Sequence, residues 1–189
     1  MMEKTTTHKI EWVFGYGSLI WDPGFTPTET VPAHLAGFAR SFCLRSIEHR
    51  GTQEAPGLVL GLDEDPMAAC RGVALRIASQ DHDQVLAYLR ARELVTEAYR
   101  EEILPLTLED GRHVMALAYV MRRDHWQYAG GLPDDEQIRI IAKAHGGRGP
   151  NADYLHNTAS HLAQIGMADD NLDRLSQAVR ALQDTLPES

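Results

Sequence analysis

The stretch EWVFGYGSLIWDP, Glu11 to Pro23, packs aromatic and β-branched residues around the loose centre Gly15-Tyr16-Gly17-Ser18. The tight run before the glycines reads as a buried strand, and the glycines as the point where that strand enters a loop. Taken locally, the break is a β-bulge or a turn, because glycine inside a strand pattern marks such kinks. The same residues also suit a binding role. Glycines let a ligand approach the backbone closely, successive N–H groups can converge on a carboxylate or a developing oxyanion, and the Ser18 hydroxyl adds a further donor. The spacing is not GxGxxG and no GK[ST] follows, so a nucleotide phosphate site has little support.

Working outward, residues 33–47 (AHLAGFARSFCLRSI) alternate imperfectly and predict one or two strands. A segment dense in turn formers, His49 to Gly57, leads to two apolar runs, LVLGLDEDP and CRGVALRIA, split at Asp63 to Pro66. From Gln80 to about Glu97 the period becomes helical, with Val85, Leu86, Leu89 and Leu94 along one stripe and Glu93 close beside it. Asp110-Gly111 marks a hairpin between two strand-like runs. A second helix is expected over 134–144, a third after the glycine-rich HGGRGP, and a fourth carrying Leu172, Leu175, Val179 and Leu182 at helical spacing. This order predicts one α+β domain over 1–189 behind a flexible leader at 1–10, built on an antiparallel or mixed sheet that can close as a small β-barrel, with flanking helices and a helical C-terminal tail.

The chain has 189 residues, 43% of them hydrophobic and 24% charged, and no apolar run reaches the length of a membrane span. No apolar segment follows the N-terminal residues as in a secretory signal, so a cytoplasmic protein is expected. Its two cysteines, Cys43 and Cys70, are then free thiols. A net charge of −9 argues against nucleic acid. It leaves room for an anionic small ligand, because a pocket can gather arginines such as Arg40, Arg45 and Arg50 locally. Composition leaves monomer and homodimer both open.

Among titratable residues Glu93 stands out by position. It is either a solvated flank or ion-pair partner of Arg92, or a partly buried carboxylate whose pKa desolvation raises into the range useful for proton transfer. Asn151 and Tyr154, in GGRGPNADYL, are a helix cap and its neighbour, or polar groups presented to a pocket from a helix start. Arg40 and His49-Arg50-Gly51 are likewise surface groups or pocket lining. The nine histidines do not make a metal site: His156 and His161 are five apart, off a common helix face, and no HExxH or HxH occurs. Neither Ser18 nor Ser160 lies in a GxSxG elbow, which disfavours covalent catalysis.

In combination these segments resemble the ChaC family of γ-glutamylcyclotransferases. VFGYGSLIW is similar to the family's N-terminal signature, HRGT with Arg40 to its second block, YLRAREL to its catalytic-glutamate block, and GPNADYL to its late block. The resemblance runs from about Trp12 to Leu182. It implies a γ-glutamylcyclotransferase-like barrel and a cofactor-independent enzyme that converts glutathione to 5-oxoproline and Cys-Gly. Glu93 would be its acid/base, and Val13, Phe14, Gly15, Tyr16, Gly17, Ser18 and Leu19, with Arg40, Asn151 and Tyr154, would hold substrate. One departure is visible: Thr96-Glu97-Ala98-Tyr99 stands where members carry a glycine before the tyrosine. That puts the loop geometry beside Glu93 in question.

Overall fold

The structure is a computed structural model that describes residues 9–185. Most of the expected leader, residues 1–8, lies outside the described residues. Among the described residues five strands close into a barrel in the order β1 (Trp12–Gly15), β3 (Gly57–Arg76), β2 (Glu29–Ser46), β4 (Tyr99–Leu108), β5 (His113–Met121). Neighbouring pairs are antiparallel except the seam, where β5 pairs with β1 in parallel. The expected small barrel is therefore present, and the opening stretch supplies its shortest and most deeply buried strand.

The near-continuous apolar run of β1 follows from burial on both faces. Trp12, Phe14 and Tyr16 point into a cluster that joins all five strands, with Leu35, Leu62, Leu106 and Ala118 among its members, while Val13 points the other way. Outside the barrel Val13 meets Val85, Leu86 and Leu89 of α1 (His82–Glu93). On the opposite flank Leu58, Leu60, Val73 and Leu75 pack beneath α2 (Asp134–Lys143), α3 (Asn151–Gln164) and α4 (Asp170–Gln183). Two short strands, β6 (His145–Gly146) and β7 (Gly149–Pro150), form a separate pair just before α3. No helix among the described residues is long and apolar enough to cross a membrane.

Three expectations change in detail. The two runs divided at Asp63 to Pro66 are one strand, β3, and its partner β2 is one strand as well. What looked like a separator is a bulge: Asp65, Pro66, Met67 and Ala68 have no ladder partner opposite Gly37, whose φ is +84°. Proline has no N–H to lose there, and Met67 stands 94% exposed. The first helix ends at Glu93 rather than near residue 97. Finally, Asn151 is no cap. Pro150 occupies that place, and the Asn151 side chain is fully buried. Its Oδ1 accepts from the Leu58 N–H and its Nδ2 donates to the Leu58 carbonyl, both at 2.7 Å, so it pairs like a strand residue with the edge of β3.

Truncating Asn151 leaves both Leu58 groups buried without partners. Asn151→Ala is expected to lower stability by about 3 kcal/mol in denaturant unfolding, with Asn151→Asp no better because its carboxylate opposes the Leu58 carbonyl.

Candidate active site

A cavity of about 480 Å³ opens where β1 ends. Its walls come from the residues after β1, the end of α1, the β2–β3 pair, β4, β5 and α3. Chain segments far apart in sequence thus meet on one space, and the main ones each have a local reason to be there.

The strand β1 stops at Gly15 and the chain turns through a single 3-10 turn, Ser18–Ile20. β3 must press close at this point, and a Cβ at Gly72 would collide with the Gly15 carbonyl and the Phe14 ring. The carbonyl of Tyr16 accepts a 2.6 Å hydrogen bond from Arg40 Nε. After it the amides of Gly17, Ser18 and Leu19 have no acceptor among the described residues, because the turn's own bonds begin at Ile20 N. A Cβ at Gly17 would meet nothing within 4 Å, so the cavity lies on that side. Of the seven consecutive residues the resemblance assigns to substrate, Tyr16, Gly17, Ser18 and Leu19 line the cavity. Val13, Phe14 and Gly15 do not: they are barrel wall, consumed by packing and by the ladders to β3 and β5.

Glu93 is the last residue of α1 and lines the same cavity. Its side chain is 17% exposed, with Arg92 Nε 3.2 Å from Oε1. Burial lifts its carboxyl above the usual carboxylate range, and the Arg92 charge opposes this without cancelling it. The end of a helix, where carbonyls point outward, also disfavours a negative charge. Arg92 reaches further, donating through Nη2 to Ser18 Oγ at 2.9 Å and through Nη1 to the Asp22 carbonyl at 2.7 Å. It therefore ties the glycine turn to the residue beside Glu93. The sequence placed Arg92 only as a neighbour; its position one residue before a semi-buried acid was the available signal.

A second bulge shapes the floor. Between Ser41/Gly61 and Leu44/Val59 the β2–β3 register shifts, and Leu60 leaves the ladder. Its N–H donates to Tyr154 Oη at 3.3 Å and its carbonyl accepts from Tyr99 Oη at 3.1 Å. Two phenols thus complete a strand at the point where it bends away, and both line the cavity. Burial raises Tyr16 and Tyr99 well above the ordinary phenol range and Tyr154 to about 12, with the Glu93 charge adding in the same direction for all three. They remain neutral hydrogen-bonding groups at any working pH. Sequence reading had found Tyr154 and missed Tyr99 and Tyr119, although a tyrosine inside an apolar strand such as ALAYVM needs a partner for its hydroxyl.

Arg40 does not line the cavity. Its side chain is 5% exposed, and besides Tyr16 it holds the Arg71 carbonyl at 2.6 Å and Asp169 at 2.9 Å. It positions the turn from behind. Asn151, as described, faces β3. His49 and Arg50 do line the cavity, with Arg148. Among the described residues no group of three or more His, Cys, Asp or Glu side chains is placed to hold a metal ion. Cys43 and Cys70 are free and buried, and burial pushes the Cys43 thiol up to about 12 and the Cys70 thiol upward as well, the reverse of an activated nucleophile.

The ChaC-like protein family matches residues 11–182 of the chain. A glutathione-specific γ-glutamylcyclotransferase of Escherichia coli is 38% identical over 171 residues, covering 90% of this chain and 73% of that protein. γ-Glutamylcyclotransferase 2-3 of Arabidopsis thaliana is 36% identical over 89% of this chain and 88% of its own length. The crystal structure of a yeast γ-glutamyl cyclotransferase specific to glutathione superposes with a TM-score of 0.82 at 26% identity, over 94% of this chain and 99% of that one.

The unusual segment after Glu93 keeps a glycine's geometry without the glycine. Glu97 has φ +56°, the single non-glycine residue in the left-handed region among the described residues. The chain must reverse there so that Ala98 is buried and Tyr99 can enter β4. Left-handed strain of about 1–2 kcal/mol exceeds the 0.5–1 kcal/mol of extra chain entropy that glycine brings. Glu97→Gly is therefore expected to raise stability slightly, by about 1 kcal/mol or less, with the melting temperature as readout.

Proposed function

This chain belongs to the ChaC-like protein family, and we propose that it is a γ-glutamylcyclotransferase that cleaves glutathione to 5-oxoproline and Cys-Gly. The observation that carries this reading is a semi-buried carboxyl of raised pKa, Glu93, sharing one cavity with the unpaired amides of Gly17, Ser18 and Leu19. The names of its relatives in Escherichia coli and yeast support the substrate.

The chemistry needs little from the protein. The α-amine of a γ-glutamyl group can reach the γ-carbonyl and close a five-membered lactam, so the nucleophile is already tethered to its target. The new bond joins the α-nitrogen to the γ-carbon, the bond from that carbon to the cysteine nitrogen breaks, and no water enters. Glu93 takes the proton that the α-ammonium must lose and returns it to the departing amine. The Gly17–Leu19 amides and the Ser18 hydroxyl hold the γ-glutamyl group and the oxygen that gains charge, an interaction class worth roughly 3–4 kcal/mol where one such donor has been removed elsewhere. Tyr16, Tyr99 and Tyr154, kept neutral, add hydrogen bonds without a competing charge. We place the enzyme in the cytoplasm, as two free cysteines suit a reducing compartment.

Glu93→Gln keeps the shape and removes the base. It is expected to lower kcat for 5-oxoproline release by about 100- to 10,000-fold, measured by mass spectrometry. Near-normal turnover would eliminate Glu93 as the acid/base. The fold should not suffer. The native carboxyl binds its proton more tightly than the unfolded one, so its ionisation draws on stability increasingly as pH rises from the unfolded pKa through the folded one. Removing that ionisation should leave the melting temperature at neutral pH unchanged or higher.

The acid limb of kcat/KM reports Glu93 in the free enzyme and should lie above the ordinary carboxylate range. Because the Arg92 charge holds that pKa down, Arg92→Met is expected to move the limb to higher pH. A limb that stays in place or moves down would contradict the pairing of these residues.

A further inference from the structure

Most arginines of the chain have a carboxylate within 4 Å. Arg50 and Arg148 have none among the described residues, and both line the cavity that holds Glu93. In a protein of net charge −9 and 27 acidic residues, two arginines without a carboxylate partner at one cavity wall give that wall a local positive charge complementary to an anion.

Arg50 is fixed before any ligand arrives. Its Nη1 donates to the carbonyls of Arg148 at 2.7 Å and Pro150 at 3.2 Å, and its guanidinium sits 5.7 Å above the centre of the Tyr154 ring. Its Nε and Nη2 have no acceptor among the described residues. The two loops that carry the pair are clasped backbone to backbone: Gly147 N donates to the Glu48 carbonyl at 2.7 Å and Arg148 N to the His49 carbonyl at 2.9 Å. A Cβ at Gly146 would strike the Arg50 and Gly51 amides, and one at Gly51 would strike the Gly57 amide and the Ser46 carbonyl, so HGGRGP and HRGT each need a glycine at the point where the loops close. These two motifs converge to set the Arg50 guanidinium against the backbone of the loop that carries Arg148.

We propose that Arg50 and Arg148 form the subsite for the C-terminal carboxylate of the departing peptide, so that the cavity selects γ-glutamyl peptides ending in a free carboxylate over γ-glutamyl amines. The inference rests on the cyclotransferase activity. If the γ-carbonyl sits between Glu93 and the glycine turn, the glycine carboxylate of glutathione lies two residues away, roughly 7 Å in an extended chain. Tyr154, with Arg50 over its ring, lines the same cavity as Glu93 and Arg148, so both ends of the substrate meet one continuous wall.

The test compares 5-oxoproline release from glutathione, from glutathione with its glycine carboxylate converted to the amide, and from glutathione with its γ-glutamyl α-carboxylate converted to the amide. The full chain is assayed beside Arg148→Gln, a variant at an exposed side chain whose melting temperature should match the parent. The parent is expected to favour glutathione over the glycine amide by about 10- to 100-fold in kcat/KM, chiefly through KM. Arg148→Gln should lose about 10-fold on glutathione and markedly less on the glycine amide, while its loss on the α-amide matches that on glutathione. Equal handling of glutathione and its glycine amide by the parent would overturn the subsite. So would a variant whose loss disappears on the α-amide instead, which would put the pair at the γ-glutamyl end. Absence of 5-oxoproline from all three substrates would overturn the activity itself, and the subsite with it.

Discussion

The arrangement of this site depends on one buried guanidinium. Arg40, on β2, reaches the Tyr16 carbonyl where β1 becomes a turn, the Arg71 carbonyl on β3, and the carboxylate of Asp169. Asp169 is in turn the cap of α4, accepting from the Asn171 and Leu172 amides. A charge this deeply buried is tolerable only when its nitrogens are matched by oxygens, and each of its three bonding nitrogens is. The consequence is geometric. With its carbonyl drawn backward, Tyr16 is anchored from behind, and the amides of Gly17 to Leu19 are left without internal partners beside the cavity. The global charge of the chain has no part in this, and neither does direct contact of Arg40 with a ligand.

The cavity itself is a product of imperfect strand pairing. A perfectly registered β2–β3 ribbon would carry Leu60 through the ladder and fill the space beside it. The shift between Ser41 and Leu44 releases Leu60, and Tyr154 from α3 and Tyr99 from β4 take over its backbone groups. Both rings are thereby held rigidly, each by one hydrogen bond to the strand that made room for them. A helix beyond the barrel and a strand at its opposite wall are coupled through a single residue's peptide groups.

How much of this was legible in the sequence follows from how local each determinant is. The hairpin at Asp110-Gly111 and the burial of Trp12 to Gly15 depend on nearest neighbours and are found as the pattern implies, whereas the helical period that runs to about Glu97 in the sequence is broken at Glu93 in the fold. The unity of β3 was not legible, because Asp63 to Pro66 carries every turn signal, and only the partner strand, with Gly37 opposite, shows that these residues bulge without ending the strand. The residues alone leave Asn151 and Arg40 open between a structural and a ligand-facing role, and only the family resemblance assigns them to substrate. Their actual partners, Leu58, Tyr16, Arg71 and Asp169, are remote in sequence, and no local window contains them. Arg92 is hidden for a related reason: the sequence offers it only as an ion-pair partner of Glu93, and its bonds to Ser18 and Asp22 exist only once α1 docks against the turn.

The composition of the site also explains what it lacks. A reaction whose nucleophile belongs to the substrate does not require the protein to lower the pKa of a serine or cysteine, and here the buried thiols and phenols are all shifted upward, away from charge. The one group moved toward usefulness is Glu93, because raising a carboxyl brings it nearer the pKa of the amines between which it must pass a proton. Burial therefore does two jobs with one effect. It keeps the phenols as neutral donors, and it makes the Glu93 carboxylate a stronger base. Arg92 sets the limit on that second shift while holding the turn in place, so the strength of the base and the position of the amides are governed by the same side chain.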